Sequence, residues 1–169
     1  MKKLIILLVL FSLAFGQYSH STTNVAYGRL VYSSETGDTV LCTTASEYYR
    51  VDFTNATAGT QGSYRMTYNE TDDKLTINTG QDGYYLVVAT VSCESSGNND
   101  EIHFAIGKNG AIGTFSESHS IMPLNQVKVL TMTNVPMLNA GDYLQVFFSS
   151  NGAGDAIKIY HLNLAVIKL

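Results

Sequence analysis

The sequence predicts an all-β fold, a two-sheet jelly-roll sandwich of about ten antiparallel strands. Three observations carry the prediction. Beyond the first 16 residues no amphipathic helical period occurs. Short runs rich in Val, Ile, Tyr, Phe and Thr recur instead. Clusters of Gly, Asn, Asp and Ser separate them, as turns require. The 169 residues suffice for one domain with its own core, and no internal repeat is visible.

The elements follow in order. "VAYGRLVYSS" reads as a first strand with Val25, Tyr27, Arg29 and Val31 on one side. "DTVLCT" follows a turn at Glu35-Thr36-Gly37. "EYYRVDFTN" places Tyr49, Val51 and Phe53 on one face. "GSYRMTYNE" and "KLTIN" bracket the polar turn Thr71-Asp72-Asp73. "GYYLVVATVSC" is nearly all apolar, as in a central strand covered on both faces. "EIHFAIGKNG" runs into Asn109-Gly110, a strong hairpin signal. "NQVKVLTMTNV" sets Val127, Val129, Thr131 and Thr133 against Lys128, Leu130 and Met132. "DYLQVFFSS" and the closing "IYHLNLAVIKL" complete the set.

The closing strand has no face made for water. Strict alternation puts Tyr160, Leu162, Leu164, Val166 and Lys168 on one side, and Ile159, His161, Asn163, Ala165, Ile167 and Leu169 on the other. One side fills the sandwich, so the other needs a cover: a loop of the same chain, or further chains.

Residues 1–16, "MKKLIILLVLFSLAFG", have the form of a signal peptide: Lys2 and Lys3 before an apolar stretch, then Ala14-Phe15-Gly16. The stretch is too short for a stable membrane span. The alternative is an uncleaved hydrophobic arm. Residues 17–24 form a polar N-terminal arm, and residues 25–169 the jelly-roll domain. The expected location is secreted or extracellular, with a virion surface as the alternative.

Net charge is −4, and losing Lys2 and Lys3 with the leader leaves −6. An acidic chain with scattered cations excludes a nucleic-acid footprint. Cys42 and Cys93 are an even pair in an exported chain, so they are candidates for one disulfide or for two buried thiols.

The sequence points away from enzymes. It contains no Gly-x-Ser-x-Gly elbow, phosphate loop or His-Glu-x-x-His pair, and no catalytic or cofactor-binding residue is assigned. The histidines are His20, His103, His119 and His161. Their spacing supports no zinc cluster, and His103 reads as an ordinary sheet residue. Asn98, Asp100 and Glu101 are weak calcium candidates against a plain turn reading. Asn55-Ala56-Thr57 and Asn69-Glu70-Thr71 are glycosylation sequons. Tyr48, Tyr49, Tyr64 and Tyr68 are candidates for stacking on sugar, or simply good strand formers.

"DGYYLVVATVS" with Gly83 and Tyr85, "FAIGKNG", and "LNAGDYLQV" with Leu138, Gly141 and Asp142 occur in this order, and the chain ends on an apolar strand. These stretches, over roughly residues 75 to 169, resemble the tumour-necrosis-factor-like jelly roll, the group that includes the complement globular heads. No collagen-like stalk precedes the domain, and the last strand lacks the aromatic-Gly element of complement heads, so no ligand class carries over. The resemblance implies a ten-strand jelly roll that assembles as a homotrimer, with the final strand on the sheet facing the three-fold axis. Val88, Thr90, His161, Asn163, Ala165, Ile167 and Leu169 are then the interface candidates. The expected function is non-enzymatic structure or recognition, with loops presented to an unidentified protein or glycan. The alternatives are a virion head fibre or decoration trimer, a carbohydrate-binding module, and an extracellular filament subunit.

Overall fold

The computed structural model describes residues 25–53, 59–60, 63–69, 71–98 and 100–169. The leader, the polar arm and the Asn55 sequon lie outside them. The described residues form twelve strands: β1 (Tyr27–Leu41), β2 (Tyr49–Arg50), β3 (Gly59–Thr60), β4 (Met66–Asn69), β5 (Lys74–Ile77), β6 (Gly83–Ser95), β7 (Asp100–Lys108), β8 (Ala111–Met122), β9 (Lys128–Asn134), β10 (Met137–Leu138), β11 (Tyr143–Ser150) and β12 (Ala156–Lys168). All pairings are antiparallel.

Two sheets form the sandwich. The first runs β10-β6-β12-β1-β3, with β9 also paired to β6, and the second runs β4-β5-β11-β7-β8, with β2 also paired to β11. The all-β jelly-roll expectation holds. Short strands at edges and corners raise the count above ten.

Alternation builds the core. Tyr85, Val87, Ala89, Val91 and Cys93 of β6 point inward beside Leu162, Leu164 and Val166 of β12. Leu30 and Tyr32 of β1 join them, and the Tyr32 ring stacks on Phe53 with centroids 3.9 Å apart. Ile102, Phe104 and Phe148 answer from the second sheet. The β7–β8 hairpin turns at Asn109-Gly110, both at positive φ (54° and 79°), as the sequence anticipates. Gly107 is required nearby, because a Cβ there would lie 2.3 Å from the Phe147 ring.

The structure departs from the sequence reading in four places, the first being β8, which has no counterpart among the strands read from the sequence. The first two predicted strands are one long strand, β1. Its register against β12 shifts between Ser33 and Asp38, so the expected turn residues form an excursion within it, with Gly37 at φ 71°. β12 carries a bulge: Ile159 pairs with Cys93 and His161 with Ser92, leaving Tyr160 as the extra residue. Ile159 is therefore a core residue, fully buried, and not on the outward face that strict alternation assigns. Lastly, Cys42 and Cys93 are buried free thiols. The Cys42 thiol donates to the carbonyls of Thr44 and Ser150, and the Cys93 thiol lies 4.0 Å from Met122 Sδ, so the sulfurs serve different neighbours and the disulfide candidate is not formed.

Candidate functional site

The outward face of the first sheet is built by register. Four rows run across β6, β12 and β1: Leu86–Ile167–Tyr27, Val88–Ala165–Arg29, Thr90–Asn163–Val31, and Ser92–His161–Ser33. Val88, Thr90, His161, Asn163, Ala165 and Ile167 thus share one surface. Leu169 continues it past the strand, with its N–H donating to Tyr84 O at 2.9 Å.

The two ends of this face differ chemically. At the C-terminal end of β12, Ile167 is 45% exposed and Leu169 71%, and the exposed side chains of Tyr27, Tyr84 and Met137 are close by in the ladder. Toward the bulge the rows become polar. Arg29 Nε donates to Asn163 Oδ1 at 2.6 Å, and the Ser33 hydroxyl meets His161 Nδ1 at 2.9 Å. The polar groups expected near an axis are therefore already partnered within one chain.

The outward face of the second sheet is polar by comparison. It carries Lys74 and Thr76 on β5, Gln145 and Ser149 on β11, and a cluster where β7 meets β8. His103 lies opposite His119 there, with ring centroids 5.2 Å apart. Glu117 bonds His103 Nδ1, and the Tyr48 hydroxyl reaches Glu117 and Ser149. Glu101 Oε1 stands 3.8 Å from His103 Nε2 and 3.7 Å from His119 Nε2. The hydrogen bond from His103 holds the Glu117 carboxyl below its usual range. Ligand atoms of His103, Glu117 and His119 lie within 4.8 Å of one another. Histidine spacing along the chain hides this group, because strand pairing and not a local motif assembles it.

The calcium candidates do not converge. Asp100 and Glu101 are successive strand residues, so their side chains leave opposite faces. Glu101 joins the histidines, while Asp100 turns to Asp155; burial, then that neighbour, raises its carboxyl. Exposed Asn98 lies in the preceding turn. The tyrosines are likewise scattered. Tyr48 belongs to the imidazole cluster, and Tyr49 packs on Phe148. Tyr64 stacks on Tyr27, and Tyr68 donates to Asp73. They make no shared platform. At the Asn69 sequon, Oδ1 accepts from Thr71 and Asp72 N–H, which is turn chemistry.

The family-like segment is a structural corner. Asp142 accepts from Asn139 N (2.8 Å) and Asn109 Nδ2 (2.6 Å) and pairs with Lys108 Nζ at 2.6 Å. Burial pushes this carboxyl up, but the Asn139, Lys108 and Asn109 contacts together outweigh it and hold Asp142 below its usual range.

Eiger TNF from S. frugiperda matches this structure with a TM-score of 0.57, over 86% of this chain and 92% of that one. The fold is a TNF-like jelly roll. Sequence identity over the match is 17%, so the likeness is one of architecture. No protein-family model matches the chain. No curated protein matches it by sequence. Among the described residues of the TNF-like domain, no helix is long and apolar enough to cross a membrane.

Proposed function

We propose that the chain is an exported, non-enzymatic recognition or structural protein that works as a homotrimer and presents its loops to a protein or glycan partner. The observation that carries this reading is the contrast between the two outward faces. The second sheet carries charged and imidazole side chains on its outer face, with exposed Ile121 at one edge. The first leaves Tyr27, Tyr84, Met137, Ile167 and Leu169 exposed around one end of β12. A patch of that kind marks an interaction surface. Each 100 Å² of it removed from water is worth about 2.5 kcal/mol.

A closed ring of three copies is the cover proposed for it. Ala165 sits mid-face with half-buried Val88 beside it, a small residue where neighbouring chains would approach closely. Arg29, Asn163, Ser33 and His161 enter such an interface already hydrogen-bonded, which lowers the cost of burying them. Loops at the sandwich ends stay free to carry specificity.

The test is light scattering and N-terminal analysis of the full chain secreted from an expressing cell. The expected result is a species of three chains that lack residues 1–16. A stable single-copy species would overturn the reading.

A further inference from the structure

We propose that His103, His119 and Glu101, on the outward face of the second sheet, form a binding site for a divalent transition metal of the zinc class, with Glu117 as the positioning carboxylate.

The geometry comes from the β7–β8 ladder. His103 and His119 are direct cross-strand partners. Glu101 lies two residues before His103, and Glu117 two residues before His119, so all four side chains leave the same face. Glu101 Oε1 is nearly equidistant from the two Nε2 atoms, at 3.8 and 3.7 Å. A tetrahedral zinc with bonds near 2.0–2.1 Å has ligand atoms roughly 3.4 Å apart. The imidazole centroids are 5.2 Å apart, so the two partly exposed rings would turn toward Glu101 to close the triangle.

The second carboxylate has a separate role. Glu117 bonds His103 Nδ1, which fixes that nitrogen as the protonated one and leaves Nε2 free to ligate. Carboxylate–imidazole–metal relays orient bound histidines in this way. Two neutral imidazoles with one carboxylate suit zinc. They suit calcium poorly, since calcium asks for six to eight oxygens. His119 is 61% exposed, so a fourth position would open to solvent and accept water or a donor from a partner molecule. The site lies on the opposite sheet from the proposed trimer face and does not depend on that assembly.

The test is titration of the full chain with zinc alone, read by calorimetry, on wild type, His103→Ala, His119→Ala, His119→Gln, Glu101→Gln and Glu117→Gln. One zinc per chain is expected. Each histidine variant and Glu101→Gln should weaken binding more than about tenfold, and Glu117→Gln about tenfold, as for outer-sphere partners. These side chains reach solvent, so unchanged circular dichroism should accompany the loss. His119→Gln covers the case in which an alanine variant fails to fold. No binding up to millimolar zinc, or binding that survives both histidine changes, would overturn the proposal. So would loss of binding in His161→Ala, which lies on the other sheet.

Discussion

Replacing Ala165 with Arg separates the assembled from the isolated state. Within one chain the new residue would sit opposite Arg29 on the neighbouring strand, with backbones about 5 Å apart, on a face in contact with water. At the dielectric of water that repulsion is about 1 kcal/mol, so the sandwich should still fold. In a closed ring the three copies would meet near the axis. Three like charges at about 8 Å, with an effective dielectric near 20, repel by about 2 kcal/mol per pair and about 6 kcal/mol in all. That is a factor on the order of 10⁴ in the association constant, before any desolvation cost. Size-exclusion chromatography with light scattering reads the outcome against the mass of one chain without residues 1–16, which is below the 18.4 kDa of the full sequence. Wild type should run as three chains and Ala165→Arg as one, with the same β-sheet circular dichroism. Ile121→Arg, on the exposed outward side of β8, should leave the mass at three. A trimeric Ala165→Arg would falsify the placement of β12 at the axis.

Three further outcomes test single side chains. Asp142→Ala removes three polar contacts from a side chain only 12% exposed, and should lower unfolding free energy by about 3 kcal/mol near neutral pH. The Asp142 carboxyl is held below its unfolded value, so its contribution is full above about pH 4 and fades as pH falls through the folded value; denaturant melts of wild type and variant should converge in acid. Asp73 behaves oppositely. Burial raises its carboxyl despite hydrogen bonds from Phe53 N and the Tyr68 hydroxyl, so this group costs stability as pH rises above about 4, and Asp73→Asn should flatten that slope in pH-dependent melts. Burial pushes the Cys93 thiol up to about 12, so its thiolate fraction at pH 8 is about a thousandth of an unperturbed thiol's. Alkylation of the native protein should therefore spare Cys93 until denaturant is added, and fast native labelling there would contradict its burial.

The jelly roll was legible because most strands declare themselves. β6, β9 and β11 are visible as apolar or alternating runs, and Asn109-Gly110 marks its hairpin outright. β8 was not legible. Its central stretch, Ser116 to Ser120, offers Ser, Glu and His where a strand usually shows β-branched or aromatic residues. Tertiary pairing with β7 makes it a strand all the same. Missing β8 also hid the imidazole cluster, since His103 and His119 are neighbours only through that ladder. The outward face of β12 was readable after the bulge and misassigned before it. An inserted residue shifts the period by one, and no local signal at Tyr160 announces it. The sulfurs of Cys42 and Cys93 diverge for a similar reason: their positions follow from long-range register, which composition does not encode.

The spare residue at Tyr160 sets how β12 can change in length. Ile157 and Ile159 before it, and Leu162, Leu164 and Val166 after it, all point into the sandwich only because one position is skipped between them. Excising Tyr160 would restore unbroken parity and leave both halves facing as they do now, at the loss of its 2.7 Å bond to Glu94. Excising Asn163 instead would invert everything on one side of the cut, carrying a leucine out to solvent and either His161 or Ala165 into the interior. Length variation in this ribbon is therefore tolerable at a single joint, and that joint lies within the polar part of the surface, between the Ser92–His161–Ser33 row and the Glu94–Lys158–Thr39 row.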